Sequence, residues 1–285
     1  MTYAPVRFTG AVQPAAERGT ARPAIRIGVV LSAGGLRGVA HLGVMRRLVA
    51  SGVPIDVIVG VSAGAIIAGY YAGAGLTIED MIDDAPGFKG RHLVMHGLTL
   101  RAPQVLRPLL RAGCGIIPTR LSQLEAARFD RLHHGVSAIG IVCHDLISGG
   151  PIYFSSDNHH DAPLASVVKS SAAVPGLIPS KPVTRNGRLM HLVDGGLSDS
   201  LPCAFARETL GATHLIVSDC RRIATAPGPA DDAVYIRPEL NGAATLRSPA
   251  GSLLASVASG EQACTDAILD IVGRWTDAGR RTAAC

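Results

Sequence analysis

Short apolar runs alternate in this chain with longer segments whose apolar residues recur at helical spacing. Residues 25–31 and 57–59 are two such runs, rich in β-branched side chains. Runs of this kind are typical of strands that are buried on both faces of a parallel sheet. Between them, residues 39–50 carry apolar side chains at helical spacing and are followed by Gly52 and Pro54, which predicts a helix. The order strand, helix, strand favours an α/β fold.

The rest of the chain continues this alternation. Further strands are predicted at 137–142, 152–154, 189–193 and 215–218, the last as the final core strand. Helices are predicted at 63–74, 164–171 and 204–210, an extended piece near 234–236, and a helical tail at about 253–273. The pattern therefore predicts a three-layer α/β/α fold with a mostly parallel central sheet.

Composition divides the chain into one main domain and two flanks. Residues 1–24 are rich in Pro, Ala and Gly without a sustained period, which predicts a flexible N-terminal arm. Residues 25–221 hold the alternating elements and form the main domain. Residues 222–285 hold a proline-rich linker and the helical tail, which we expect to pack on the same domain.

The charge and the cysteines exclude some classes of function. The chain has 285 residues, 47% of them hydrophobic, and a net charge of +5. This excess hints at anionic partners, but no motif supports binding of nucleic acid. The six cysteines show no C-x-x-C pair, so neither a zinc site nor a disulfide framework is implied. The first 22 residues lack the apolar core of a secretion signal, which predicts a cytoplasmic protein.

Ser62 lies between the second predicted strand and the helix after it, in the pentapeptide G-V-S-A-G. Gly60 and Gly64 remove the side chains that would collide in so sharp a reversal of the chain. Such a turn lifts a serine hydroxyl above the edge of the sheet, so Ser62 is a candidate nucleophile. A membrane span is the alternative, since residues 57–78 carry no charge and about 20 residues cross a bilayer. The strand, turn and helix interpretation is favoured because it explains the position of Ser62.

A glycine-rich loop follows the first strand. Residues 33–38, A-G-G-L-R-G, resemble a dinucleotide-binding loop with alanine in the first place, and Asp56 lies about 20 residues further on. However, Asp56 precedes the second strand, whereas a ribose-binding acid stands at the carboxyl end of that strand. The other use of such a loop is to direct backbone N–H groups at an oxyanion held over Ser62.

A long basic segment follows. Between Asp84 and Glu125 there is no acidic residue, while six basic residues are interleaved with apolar ones. They are Lys89, Arg91, Arg101, Arg107, Arg111 and Arg120. The segment is either a solvated cap of loops and helices or a basic, apolar-edged lid that faces anionic lipid. His92 and His96 are spaced by four residues, but no third ligand is evident, so a metal site is not predicted.

Four stretches together resemble one family, the patatin-like phospholipases, and specifically its compact bacterial members. Residues 34–38, G-G-L-R-G, resemble the oxyanion-hole motif of that family, and residues 60–64 its nucleophile elbow. Residues 194–196, D-G-G, resemble its D-G-A/G motif, and residues 170–179 its proline-bearing stretch. The resemblance covers about residues 25–221.

The resemblance implies a patatin-like fold and a serine lipid acyl hydrolase that cleaves phospholipid or lysophospholipid esters without a metal or cofactor. Ser62 would attack the ester carbonyl, Asp194 would accept its proton, and the N–H groups of Gly34 and Gly35 would form the oxyanion hole. Supporting motif residues are Arg37, Gly38, Gly60, Gly64, Gly195 and Gly196. Peripheral contact with an anionic membrane, at its inner face, is the implied partner contact. The alternatives are a carboxylesterase or acyltransferase for another acyl compound, and a non-catalytic lipid-binding protein.

Three residues near these motifs have roles that the sequence leaves open or assigns to packing. Ala33 stands where bacterial relatives commonly have a glycine, which is harmless only if its φ is negative. Arg37 either meets a phosphate headgroup or braces the loop. His41 follows the loop by one helical turn and is predicted to pack rather than to act in catalysis.

Overall fold

The computed structural model describes residues 25–157, 162–223, 230–240 and 252–283. The predicted N-terminal arm, residues 1–24, lies outside the described residues. Side chains are described as far as residue 279.

Eight strands form one sheet in the described part of the chain. They are β1 Ile27–Leu31, β2 Val57–Val61, β3 Ala138–Asp145, β4 Gly150–Ser155, β5 Lys181–Arg185, β6 Arg188–Asp194, β7 His214–Ser218 and β8 Ala233–Ile236. Five strands, in the order β3-β2-β1-β7-β8, are parallel to their neighbours. Strands β4 and β6 pair antiparallel with β3, and β5 pairs antiparallel with β6. The prediction of a mostly parallel central sheet is therefore confirmed.

Helices cover both faces of this sheet. The α-helices are α1 Ala40–Ala50, α2 Ala63–Ala68, α3 Ile78–Ile82, α4 Gly90–Arg101, α5 Arg107–Arg111, α6 Ile117–Leu124, α7 Leu164–Ser171, α8 Ser252–Ala263 and α9 Asp266–Ala283. Val29 belongs to a large buried cluster that includes residues of α1, α7 and α8. Val30 points to the other face and joins a smaller cluster with Phe205 and Leu210. The strands are apolar on both faces because both faces are covered.

Several predicted bounds need correction. Strand β8 pairs in parallel with β7, so 215–218 is not the final core strand. The predicted helix at 63–74 is α-helical only as far as Ala68 and continues as a π-helical turn, Gly69–Gly73. The helix predicted at 204–210 is largely a second π-helical turn, Phe205–Thr209. The tail contains two helices, α8 and α9, which extend beyond residue 273.

Strand β5 was missed, although the sequence contains a signal for it. The dipeptide Asn186-Gly187 joins β5 to β6, and both residues have positive φ, of 52° and 72°. Asn-Gly is the commonest dipeptide in two-residue hairpin turns because it tolerates this conformation. The hairpin matters here because β6 ends at Asp194.

Pairing along β3 brings the ends of β2 and β6 together. Strand β4 pairs with residues 140–145 of β3 and so occupies one edge. Strand β2 pairs with residues 138–142 and β6 with residues 143–145, so both use the other edge. Because β2 runs parallel to β3 and β6 runs antiparallel to it, their carboxyl ends meet. The residue after β2, Ser62, therefore lies beside Asp194, the last residue of β6.

The membrane-span interpretation of residues 57–78 is wrong. Residues 57–61 form a strand within the sheet, and the helix begins only at Ala63. Within the described ranges, no helix combines the length and the apolar character that a membrane crossing requires.

Candidate active site

The turn at Ser62 is a strained reversal between β2 and α2. Ser62 has φ 56° and ψ −119°, a conformation that residues with a side chain rarely adopt. A Cβ on Gly60 would lie 2.3 Å from the carbonyl oxygen of Gly64, and one on Gly64 would lie 2.2 Å from that of Leu31. Both glycines of the pentapeptide are therefore required by the close approach of backbone, as the sequence predicts.

Ser62 and Asp194 form a buried hydrogen-bonded pair. The Ser62 hydroxyl donates to Asp194 Oδ2 over 2.6 Å, and the N–H of Gly196 donates to Oδ1 over 2.8 Å. Burial raises the pKa of the Asp194 carboxyl, and the hydrogen bonds from Ser62 and Gly196 oppose part of this rise. A carboxylate with a raised pKa is a stronger base for a serine hydroxyl than an exposed one.

Ser171 links the Ser62 turn to β3 through two hydrogen bonds. The sequence analysis does not single out this residue. Its hydroxyl accepts a hydrogen bond from the Ser62 N–H over 3.0 Å and donates to the carbonyl of Val142 over 2.6 Å. The N–H of Asp194 donates to the carbonyl of Ala173, two residues further along the chain. The end of α7 thus fixes both members of the pair. A serine at the buried end of an apolar helix is the signal that could have found it.

The glycine loop after β1 lies against the first turn of α2. A Cβ on Gly38 would lie 2.5 Å from the Cβ of Ala63, the residue that follows the candidate nucleophile. Gly35 has φ 55° and lines the same cavity as Ser62. Non-glycine residues with positive φ in the described part of the chain are Ser62, His134 and Asn186. Ala33 therefore has a negative φ, and its methyl group puts no strain on the loop.

Arg37 braces the loop, which is the second of the two roles that the sequence leaves open. Its Nε donates to the carbonyl of Cys220 over 3.2 Å, and its Nη1 donates to that of Leu240 over 3.1 Å. These carbonyls follow β7 and β8, so Arg37 ties the loop to the neighbouring strands.

His41 is fully buried and links the glycine loop to β7 through hydrogen bonds. Its Nε2 lies 3.0 Å from the carbonyl of Ser32, and its Nδ1 lies 2.7 Å from the hydroxyl of Ser218. Since a carbonyl only accepts, Nε2 carries the proton and Nδ1 accepts from Ser218. Burial lowers the pKa of His41 to about 4, so the ring is neutral at pH 7. His41 therefore packs and positions the loop.

The dinucleotide interpretation finds no support in the position of Asp56. Its Oδ2 accepts a hydrogen bond from the N–H of Ile27 over 2.7 Å, at the amino end of the parallel strands. The glycine loop lies at the opposite, carboxyl edge, where a ribose-binding acid would have to stand. Among the described residues, no group of three or more His, Cys, Asp or Glu side chains could hold a metal ion.

A largely apolar cavity of about 500 Å³ opens beside Ser62. Its polar lining includes Ser62 itself and the ion pair of Asp84 with Arg120. None of the described lining residues is a histidine. Apolar residues of the wall come from α1, α2, α3, α4, α6, α8 and the loop after α7: Leu42, Ile66, Ile67, Met81, Leu93, Ile117, Leu121, Val174, Leu177 and Leu253. A cavity of this kind suits an acyl chain.

Comparisons with known proteins identify the family to which the chain belongs. The family model described as patatin-like phospholipase matches residues 29–207, which is more than half of the chain. An uncharacterized NTE family protein of Mycobacterium tuberculosis is 33% identical over 199 residues, 69% of this chain and 30% of the relative. A protein named lysophospholipase NTE1 from Cryptococcus neoformans is 29% identical over 202 residues, 68% of this chain and 11% of the relative. The chain thus spans less than a third of the length of these relatives.

A solved structure shares the fold. VipD from Legionella pneumophila superposes with a TM-score of 0.52 at 16% identity, covering 88% of this chain and 67% of that one. The family match includes residues 29–31 of β1, the Ser62 turn and Asp194. This chain therefore belongs to the patatin-like phospholipase family.

Proposed function

We propose that the chain hydrolyses carboxylic esters of phospholipids or lysophospholipids, with Ser62 as the nucleophile and Asp194 as its base. The observation that carries this proposal is the 2.6 Å hydrogen bond from the Ser62 hydroxyl to a buried carboxylate. The strained backbone of Ser62 and the apolar cavity beside it support the same assignment. Nucleophile and base within hydrogen-bond reach are the signature of covalent catalysis.

The reaction proceeds through an acyl-enzyme. Ser62 Oγ attacks the ester carbonyl while its proton passes to Asp194, and the resulting tetrahedral oxyanion collapses when the alcohol leaves with that proton. Water then attacks the acyl-serine and loses a proton to Asp194, which passes it to Ser62 Oγ as the bond to the acyl group breaks and the fatty acid is released. The raised pKa of the Asp194 carboxyl brings it closer to the pKa of the serine hydroxyl that it must deprotonate.

The N–H groups of Gly34 and Gly35 are our candidates for the oxyanion hole. Their loop is held close to Ser62 by the contact between Gly38 and Ala63, and Gly35 lines the cavity. Loss of one oxyanion donor typically costs about 10² to 10³ in rate. Because a lipid substrate is presented in a surface, we also propose peripheral contact between this protein and an anionic membrane.

A fluorophosphonate probe tests the nucleophile. We expect the parent protein to be labelled and S62A not to be labelled, because the probe reacts only with an activated serine hydroxyl. S170A is a matched control, since Ser170 is a buried neighbour of Ser171 whose hydroxyl has no hydrogen-bond partner among the described residues. Equal labelling of S62A and the parent would refute the assignment.

Mass spectrometry of mixed phospholipids and lysophospholipids tests the substrate. We expect free fatty acid and the deacylated lipid from the parent, and neither from S62A. D194N should lower kcat by about 10² to 10⁴, the usual contribution of a general base. Unchanged turnover in D194N would show that another group takes the proton. Labelling by the probe without any lipid product would instead favour an esterase or acyltransferase for another acyl compound.

A further inference from the structure

The segment between the end of α4 and the end of α5 exposes large apolar side chains. We call residues 98–111 the arch. Val105 is 84% exposed and Leu109 is 76% exposed, while Leu98 and Leu106 are each about half exposed. Single exposed apolar residues are ordinary, but several within one short segment mark a surface that binds something.

The arch is also positively charged. It contains Arg101, Arg107 and Arg111, and residues 85–124 contain no aspartate or glutamate. Arg107 donates to the carbonyl of Ala102 over 3.0 Å, and Arg101 donates to the carbonyl of Leu177 over 2.7 Å. Bonds to carbonyls orient these guanidinium groups, and no carboxylate among the described residues forms an ion pair with them. The arch therefore combines apolar tips with a field that attracts anions.

Contacts place the arch at the rim of the cavity. Arg101 binds the backbone of Gly176 and Leu177, and Leu177 lines the cavity. Leu93 and Ile116, which precede and follow the arch, line the cavity too. Val174 lines the cavity and is exposed, which marks where the cavity reaches solvent.

We propose that the arch docks the protein on a bilayer that contains anionic lipid. Val105, Leu106 and Leu109 enter the boundary between headgroups and acyl chains, while Arg107 and Arg111 meet lipid phosphates. Docked in this way, the cavity rim faces the lipid surface. The proposal deepens the membrane contact proposed above and rests on it. A second copy of the chain is the less suitable occupant, because a symmetric contact would bring like charges together.

Vesicle sedimentation tests this surface, with S62A as the background so that the vesicles stay intact. We compare vesicles of phosphatidylcholine alone with vesicles in which part of it is replaced by phosphatidylglycerol. We expect S62A to bind the anionic vesicles, and V105S/L109S on that background to bind at least about tenfold more weakly, because the apolar insertion is lost. R107Q/R111Q should lose about fivefold per arginine and most of the dependence on salt.

Matched controls lie at the other end of the molecule. Val49 is an exposed apolar residue in the last turn of α1, at the amino end of the parallel strands, so V49S should bind as the parent does. Arg128 and Arg131 are exposed and precede β3 at the same end, so R128Q/R131Q controls for the loss of two charges. Thermal melts should show all these variants folded, since each changed side chain is exposed.

Three outcomes would overturn the proposal. The first is that V105S/L109S binds anionic vesicles as tightly as S62A does, and the second is that S62A binds neutral and anionic vesicles equally. The third is that S62A does not bind vesicles but forms a dimer that V105S/L109S abolishes. Hydrolysis of a water-soluble short-chain ester, measured with Ser62 intact, separates this proposal from the reaction itself. Arch variants should retain that activity. A chain that binds vesicles through the arch but cleaves no ester would refute the reaction and leave the docking surface standing.

Discussion

At the scale of single residues, the site depends on the burial of polar side chains that would be more stable in water. Asp194 is buried, which raises the pKa of its carboxyl, and Ser62 occupies a strained conformation. Both features cost stability, and both fit the proposed chemistry, since a raised pKa and a fixed hydroxyl favour proton transfer. His41, by contrast, stays neutral and supports the loop.

We expect D194N to stabilise the fold at pH 7 while it removes activity. Because burial raises the pKa of Asp194, the folded protein binds its proton more tightly than the unfolded chain does. The ionised carboxylate therefore opposes folding at pH values above its pKa, and this penalty shrinks as the pH falls and the group is protonated. Thermal melts from pH 7 down to pH 4 should show a gain for D194N that declines with acidification. A lower melting temperature at pH 7 would contradict this expectation.

We expect acidification to weaken the fold through His41. Its pKa in the fold is about 4, against an ordinary value of 6.5, so the unfolded chain binds the proton more readily. The stability contributed by the neutral ring is complete above pH 6.5 and is lost as the pH falls toward 4, by about 3 kcal/mol in total. Denaturant unfolding of H41Q should show a correspondingly flatter pH dependence in this window. Parallel curves for H41Q and the parent would assign the titration to other groups.

At the scale of elements, α1 and α8 approach each other through a pair of glycines. A Cβ on Gly43 would lie 1.9 Å from the carbonyl oxygen of Val257, and one on Gly260 would lie 2.0 Å from that of Ala40. The α8 end of this contact lies in the predicted tail, whose helical character the sequence indicated. The packing of α8 against α1 could not be predicted from the sequence, because a glycine within a helix does not indicate which other helix packs against it.

We expect G260A to destabilise the protein by about 1 to 3 kcal/mol, the usual cost of overpacking, because backbone atoms must move apart. Gly273 in α9 is the matched control, since a Cβ there meets nothing within 4 Å. G273A should stabilise the protein by up to about 1 kcal/mol through helix propensity alone. Denaturant unfolding of both variants measures the difference. Equal effects of the two substitutions would show that the α1–α8 contact is not tight in solution.

At the scale of the whole molecule, the cavity is assembled from segments that are far apart in the chain. Leu42 of α1, Leu121 of α6 and Leu253 of α8 all line it, together with Ser62. The ion pair of Asp84 with Arg120 is part of the same wall, so the basic segment is not only a solvated cap. The proposed acyl site is thus a property of the tertiary structure.

We expect L121W to narrow the cavity and shift the preference toward short acyl chains. The ratio of kcat/KM for a dodecanoyl ester to that for a butanoyl ester should fall at least about tenfold, since the loss of even one methylene contact in an apolar pocket costs about 1 to 3 kcal/mol. L254W is the control, because Leu254 is exposed and does not line the cavity whereas its neighbour Leu253 does. A proportional loss for both esters would place the acyl chain elsewhere.

The sequence by itself determined the parallel strands, the helix Leu164–Ser171 and the positions of Ser62 and Asp194, because these follow from local rules. Apolar runs specify buried strands, and glycines at 60 and 64 specify a sharp turn. Only the tertiary structure decided which of these residues and elements lie next to each other. The shared edge of β3 sets Ser62 against Asp194, Ser171 supports the turn, and Arg37 binds carbonyls rather than standing free. Distances across a sheet edge depend on pairing between distant segments, and no local pattern of residues encodes that pairing.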